Sequence, residues 1–124
     1  MTIKVLICDD SSFARKQLER ALPEELKAKL FFASDGHEGI SLIKEHNIDV
    51  VFLDLTMPNL DGYGVLELLK KDNIQPTIII TSADIQPGAH DRVNKLGVAG
   101  FIKKPFDDDS VKTMLLEIGI LKGG

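Results

Sequence analysis

The chain of 124 residues contains a single cysteine, Cys8. It therefore forms no internal disulfide, and a reducing, cytoplasmic setting is the expectation. Cys8 closes an apolar run, so it reads as a small buried packing residue rather than a reactive thiol. An excess of positive charge is also missing. Fifteen Lys and Arg stand against nineteen Asp and Glu, a formal net charge of −4. Direct nucleic-acid binding needs a basic face, so that class is set aside. No apolar run approaches the ~20 residues of a membrane-spanning helix. The opening MTIKVLICDD lacks the charged start and long apolar stretch of a secretory signal. Neither GxGxxG nor GxxxxGK[ST] occurs, which removes the dinucleotide and P-loop readings. Repeats, low-complexity tracts and internal linkers are lacking too.

What is present suits a folded domain. A hydrophobic fraction of 44% and a charged fraction of 27% supply a core without disulfides. The length predicts one domain, residues 1–124. Short apolar runs alternate with helical patterns. Ile3–Cys8, Leu30–Ala33, Val50–Leu53, Thr77–Thr81 and Gly100–Ile102 read as strands. VVFL and TIIIT are β-branched and scarcely alternate, as strands covered on both faces must be. Between them, Ser11 or Ser12 caps a helix whose Phe13, Leu18, Ala21 and Leu22 approximate one face, ended by Pro23. Further helices are predicted over HEGISLIKEH, GVLELLKK, GAHDRVNKLG (stopping at Gly97) and DDSVKTMLLEI. Strand then helix, five times over, predicts an α/β fold: a doubly wound, five-stranded parallel sheet, (βα)5, with right-handed crossovers and helices on both faces.

Active groups in such a sheet gather beyond the carboxyl ends of the strands. Here those ends are polar. Asp9 and Asp10 follow the first strand, Asp54 the third, Thr81 and Ser82 the fourth, and Lys103, Lys104 and Pro105 the fifth. Three converging carboxylates repel one another unless a cation intervenes. Oxygen donors with little nitrogen or sulfur suit a hard ion, with magnesium the obvious one. A lysine and a hydroxyl opposite complete a receptor for phosphoryl oxygens. A carboxylate can also be the nucleophile in phosphoryl transfer, and Asp54 stands singly on the middle strand. Each residue alone has a plainer explanation. An Asp after a strand often caps a helix or shapes a turn, Ser82 suits a turn, and Lys104 suits a solvated surface. The joint placement shifts the balance. His37, His46 and His90 pair at no zinc spacing and read as surface residues.

These residues resemble the receiver domains of two-component response regulators, with CheY-like single domains the nearest architecture. The resemblance spans Ile3 to about Ile118. DLTMPNLDG (Asp54–Gly62) matches the phosphoacceptor loop and CDDS (Cys8–Ser11) the acidic pair. TSA (Thr81–Ala83) matches the hydroxyl-then-alanine pattern, and GFIKKPF (Gly100–Phe106) the aromatic–lysine–proline segment. It implies the flavodoxin-like strand order 2-1-3-4-5, which is CheY's own order. It implies that Asp54 accepts phosphate from a histidine kinase or histidine phosphotransfer protein. Magnesium is then held by Asp9, Asp10, Asp54 and the backbone carbonyl of Thr56. Lys104 pairs with phosphoryl oxygens, and its bond to Pro105 is expected to be cis. Of the two hydroxyls, Ser82 becomes the switch residue and Thr81 the last residue of its strand. Phe101 occupies the aromatic switch position without the hydroxyl of a tyrosine. Thr56 and Asp84 fall where hydrolysis of the acyl phosphate is tuned. Pro58 fixes one dihedral of the loop and Gly62 is expected to permit an unusual one.

The chain is then a signalling domain rather than an enzyme, its chemistry limited to its own phosphorylation and dephosphorylation. Its readout is a downstream partner or fused output domain facing the fourth helix, fifth strand and fifth helix. Two rivals carry distinct signatures. A haloacid-dehalogenase-type phosphatase needs a second Asp two residues after the nucleophile, where Thr56 stands. A pseudo-receiver lacks the acidic pair, the acceptor or the lysine, all of which are present.

Overall fold

Five apolar segments build the centre of the molecule. The computed structural model describes residues 2–83 and 87–121. Its elements run β1 (Lys4–Cys8), α1 (Ser12–Ala21), β2 (Lys29–Ala33), α2 (Gly36–His46), β3 (Val50–Asp54), α3 (Gly62–Lys71), β4 (Thr77–Ser82), α4 (Pro87–Lys95), β5 (Gly100–Lys103) and α5 (Asp108–Glu117). A short 3-10 turn at Glu24–Leu26 lies between α1 and β2. All strand pairings are parallel and the order is β2-β1-β3-β4-β5. The fold is thus the five-stranded, doubly wound flavodoxin-like sheet that strand–helix alternation predicts.

Strand alternation divides the core into two layers. Leu6, Cys8, Val51, Leu53, Ile78 and Ile80 meet Ile43 of α2, Leu66 and Leu69 of α3 and Val93 of α4. From the opposite face, Val5, Ile7, Val50, Phe52, Ile79 and Ile102 meet Leu18 of α1 and Val111 and Leu115 of α5. The central β3 is buried along its whole length. Its carboxylate, Asp54, is therefore carried outward on a fully packed strand.

Local chemistry sets the helix starts. Ser11, not Ser12, caps α1, its hydroxyl accepting from the Ala14 N–H. Asp35, Asp61 and Asp107 do the same for α2, α3 and α5. Two details differ from expectation. Phe13 is 73% exposed and does not belong to the buried face of α1, which is Ala14, Leu18 and Ala21. A helix turns 100° per residue, and Phe13 lies too far round from Leu18 to share its stripe. The fourth strand also extends through Ser82, because Ser82 still pairs with Lys103 of β5.

The two phenylalanine and leucine positions on α1 separate under mutation. Leu18→Ala is expected to cost about 2–5 kcal/mol, because Leu18 fills a sealed layer. Phe13→Ser should stay within about 0.5 kcal/mol. Urea unfolding of both variants checks this, and equal losses would return Phe13 to the core.

Candidate functional site

The register brings the polar strand ends level. Cys8 pairs with Leu53, so Asp9 and Asp54, each one residue on, arrive side by side at adjacent strand ends. Asp54 in turn pairs with Thr81. The alternation that places Ile7, Phe52 and Ile102 on the α1/α5 face continues to Asp9, Asp54 and Lys104. Carboxylate oxygens of Asp9, Asp10 and Asp54 lie within 4.8 Å of one another. Lys104 Nζ is 2.6 Å from Asp9 Oδ2 and 3.5 Å from Asp54 Oδ2. Asp9 and Asp54 are buried and Asp10 is exposed. One wall of the group is therefore protein and the other solvent.

Each buried carboxylate also takes backbone donors. Asp9 Oδ1 accepts from the Ser11 N–H at 2.9 Å, and Asp54 Oδ1 from the Thr56 N–H at 3.4 Å. Burial raises the Asp54 carboxyl above its ordinary value, against the lowering effect of Lys104; the charge on Asp9 adds to the rise. Three carboxylates and one ammonium leave two formal negative charges on a set of oxygen donors. That charge and donor chemistry fit a divalent hard cation, and the exposed Asp10 side leaves room for its waters.

The loop after Asp54 is shaped by close approach. A Cβ on Gly62 would lie 2.6 Å from the Asp54 carbonyl oxygen and 2.8 Å from Leu55 Cα. Gly62 is thus required for space and not for an unusual dihedral; the left-handed residue of this loop is Asn59, with φ 69°. Asn59 Nδ2 donates to Asp35 Oδ2 at 3.1 Å, and the Gly36 N–H to the Leu60 carbonyl at 3.1 Å. These contacts tie the loop to the start of α2.

The remaining predicted residues fall around this centre. Ser82 is buried, and its carbonyl accepts from the Lys104 N–H at 2.8 Å. Thr81 is buried beside it, while Thr56 is exposed. The Lys104–Pro105 bond is cis. Phe101 is half-buried against the α2–α4 layer of the core. Asp84 lies outside the described residues. Cys8 is buried, and burial, with Asp35 next, pushes its thiol up to about 12, which leaves it a packing group. His37 is exposed and His46 stacks on Phe31 with ring centroids 4.5 Å apart; neither approaches a metal-like cluster among the described residues. Sequence reasoning missed Arg15, whose Nη1 donates to the Asp9 carbonyl at 2.6 Å. A cation in the first turns of a helix is the signal that would have marked it.

The model of the response regulator receiver domain matches residues 5–116. The chain belongs to this family. Among receiver relatives, the chemotaxis protein CheY of Bacillus subtilis is 33% identical over 111 residues, covering 90% of this chain and 92% of that protein. The protein named "Probable transcriptional regulator ycf27" in Guillardia theta is 37% identical over 115 residues, 90% of this chain. This chain spans only 43% of that regulator's length, and 32% of a protein-glutamate methylesterase/protein-glutamine glutaminase of Nitratidesulfovibrio vulgaris. Among solved structures, CheY of Borrelia burgdorferi in a complex with CheX, BeF3 and magnesium is similar, at 32% identity and a TM-score of 0.86. That match covers 94% of this chain and 89% of the other. Among the described residues no helix is long and apolar enough to cross a membrane.

The raised Asp54 carboxyl gives the receiver a pH signature. The folded state holds this proton where the unfolded chain, near its ordinary 3.8, has released it. Stability from this group is thus present at low pH and lost as pH rises through the Asp54 range. With divalent ions chelated, Asp54→Asn should melt a few degrees above the parent at pH 7, and the gap should close toward pH 4. Thermal melts across that range check the sign; a less stable Asn variant at pH 7 would contradict it.

Proposed function

We propose that this receiver is a phosphorylation switch with Asp54 as acceptor. The observation that carries the reading is the grouping of three carboxylates within 4.8 Å, with Lys104 bridging Asp9 and Asp54. Asp9, Asp10, Asp54 and the Thr56 backbone carbonyl would hold magnesium. When bound, that ion would offset charge building on the phosphoryl oxygens. A sensor histidine kinase or histidine phosphotransfer protein in the cytoplasm would supply the phosphohistidine.

One Asp54 oxygen attacks phosphorus in line, and the bond from phosphorus to the imidazole nitrogen breaks. The product is an acyl phosphate, which water later cleaves at the same centre. Lys104, held between two carboxylates, is within reach of an incoming phosphoryl oxygen and supplies a second positive charge. Ser82 donates its hydroxyl to another of those oxygens. Thr56 and Asp84 stand at the two sequence positions where the lifetime of the acyl phosphate would be tuned.

Phosphorylation leaves nearly two negative charges at a position where Asp54 carries at most one. The phosphoryl group can favour the switched state only through contacts made there and not in the resting one. Ser82 and Lys104 would supply them, and the hydrogen bond from the Lys104 N–H to the Ser82 carbonyl joins the two strand ends that carry them. Phe101, on the neighbouring strand, follows by packing. The changed surface is that of α4, β5 and α5, read by a protein partner or a fused output domain. The Borrelia relative solved with CheX, BeF3 and magnesium supports both the metal and a protein partner. Residues 1–124 act as one receiver unit, with no chemistry beyond self-phosphorylation and self-dephosphorylation.

Incubation with magnesium and acetyl phosphate, followed by intact-mass measurement, tests this. The parent should gain one phosphoryl group, Asp54→Asn none, and Lys104→Met should react roughly 100-fold more slowly. Chelation should abolish the gain. A phosphorylated Asn variant would refute the acceptor, and an unaltered rate in chelator would refute the metal.

A further inference from the structure

Asp10 is the least anchored of the three acids. It is exposed, and among the described residues its carboxylate makes no hydrogen bond or ion pair. Its place within 4.8 Å of Asp9 and Asp54 is therefore set by the backbone that carries it. Three contacts hold that backbone. The Asp9 N–H donates to the Ala33 carbonyl at 3.0 Å, and the Ser11 N–H to Asp9 Oδ1 at 2.9 Å. The third is the Arg15 guanidinium, whose Nη1 reaches the Asp9 carbonyl at 2.6 Å. That carbonyl belongs to the planar peptide joining Asp9 to Asp10. Fixing its oxygen fixes the plane, and with it the direction in which Asp10 leaves.

Arg15 sits where a cation is otherwise disfavoured. It is the fourth residue of α1, near the positive end of the helix dipole, and no acidic residue occupies that first turn. A guanidinium beside a cation-binding group also repels the incoming ion. A neutral side chain would avoid both costs, so the contact with the Asp9 carbonyl is the gain that offsets them.

Building on the magnesium reading above, we propose that Arg15 is a positioning residue of the metal site. It clamps the Asp9–Asp10 peptide so that the Asp10 carboxylate faces the ion. The charge of Arg15 and its clamp act with opposite sign on metal affinity. Loss of the charge alone would tighten magnesium binding; loss of the clamp would weaken it.

Calorimetric titration of the full chain with magnesium chloride separates the two. Arg15→Met should raise Kd about 10-fold, the scale of other outer partners of metal ligands. Arg15→Lys, which can still reach a carbonyl, should recover part of the loss. Metal-free melting of the Met variant should stay within a few degrees of the parent, which excludes unfolding as the cause. If Arg15 acts through Asp10, adding Arg15→Met to Asp10→Asn should cost little further affinity. An unchanged or lower Kd for Arg15→Met overturns the clamp, and so do strictly additive losses in the double variant. A parent chain that binds no magnesium removes the metal reading itself, and the clamp with it.

Discussion

Like charges held together at the end of a packed sheet set the terms for everything else in this receiver. Asp9, Asp10 and Asp54 bring oxygens within 4.8 Å of one another, two of them on buried side chains. At an effective dielectric of about 20, two unit charges about 4 Å apart interact with about 4 kcal/mol. A fold whose net stability is only about 5–15 kcal/mol does not tolerate that repulsion unrelieved. Lys104 relieves part of it from between Asp9 and Asp54. The rest appears as the raised Asp54 carboxyl and as two residual formal negative charges on the group. The strain is local, electrostatic and reversible by whatever binds, which is the property a switch requires.

Such a group is held in place only because the sheet beneath it does not move. β3 is buried from Val50 to Asp54, and β1 from Val5 to Cys8. Parallel pairing sets Asp9 beside Asp54 by register, and alternation sends both toward the α1/α5 side with Lys104. Around this rigid edge the loops are tied individually. Asn59 and Gly36 secure the loop after Asp54 to α2, Gly62 admits the chain next to the Asp54 carbonyl, and Arg15 reaches the carbonyl of the peptide after Asp9.

Among the described residues, polar contacts join α4 to α3. Val93 is the buried core residue of α4 among the described residues, and Arg92 adds contacts with α3 by lying 4.0 Å from the Tyr63 ring centroid and 3.2 Å from Glu67. Exposed contacts of this kind are weak and exchange easily with a partner's.

Much of this was legible in the linear sequence. Apolar runs bounded by turn residues located the strands to within a residue or so, since a strand covered on both faces must be continuously apolar. Polar residues at the strand ends identified Asp9, Asp10, Asp54, Ser82 and Lys104 as neighbours once the strands were taken as parallel. What the sequence left open depends on directions and distances. Phe13 fits an apolar stripe on paper, but the helix turns it into solvent. Gly62 suggested a dihedral and proved to answer a 2.6 Å approach. Arg15 carried no signal of its own in the sequence, and it is α1 that brings it back to the Asp9 carbonyl. Periodicity along a chain encodes which residues share a face, because it needs only local geometry. Which carbonyl a side chain reaches depends on how separate elements pack, and the tertiary structure alone decides that.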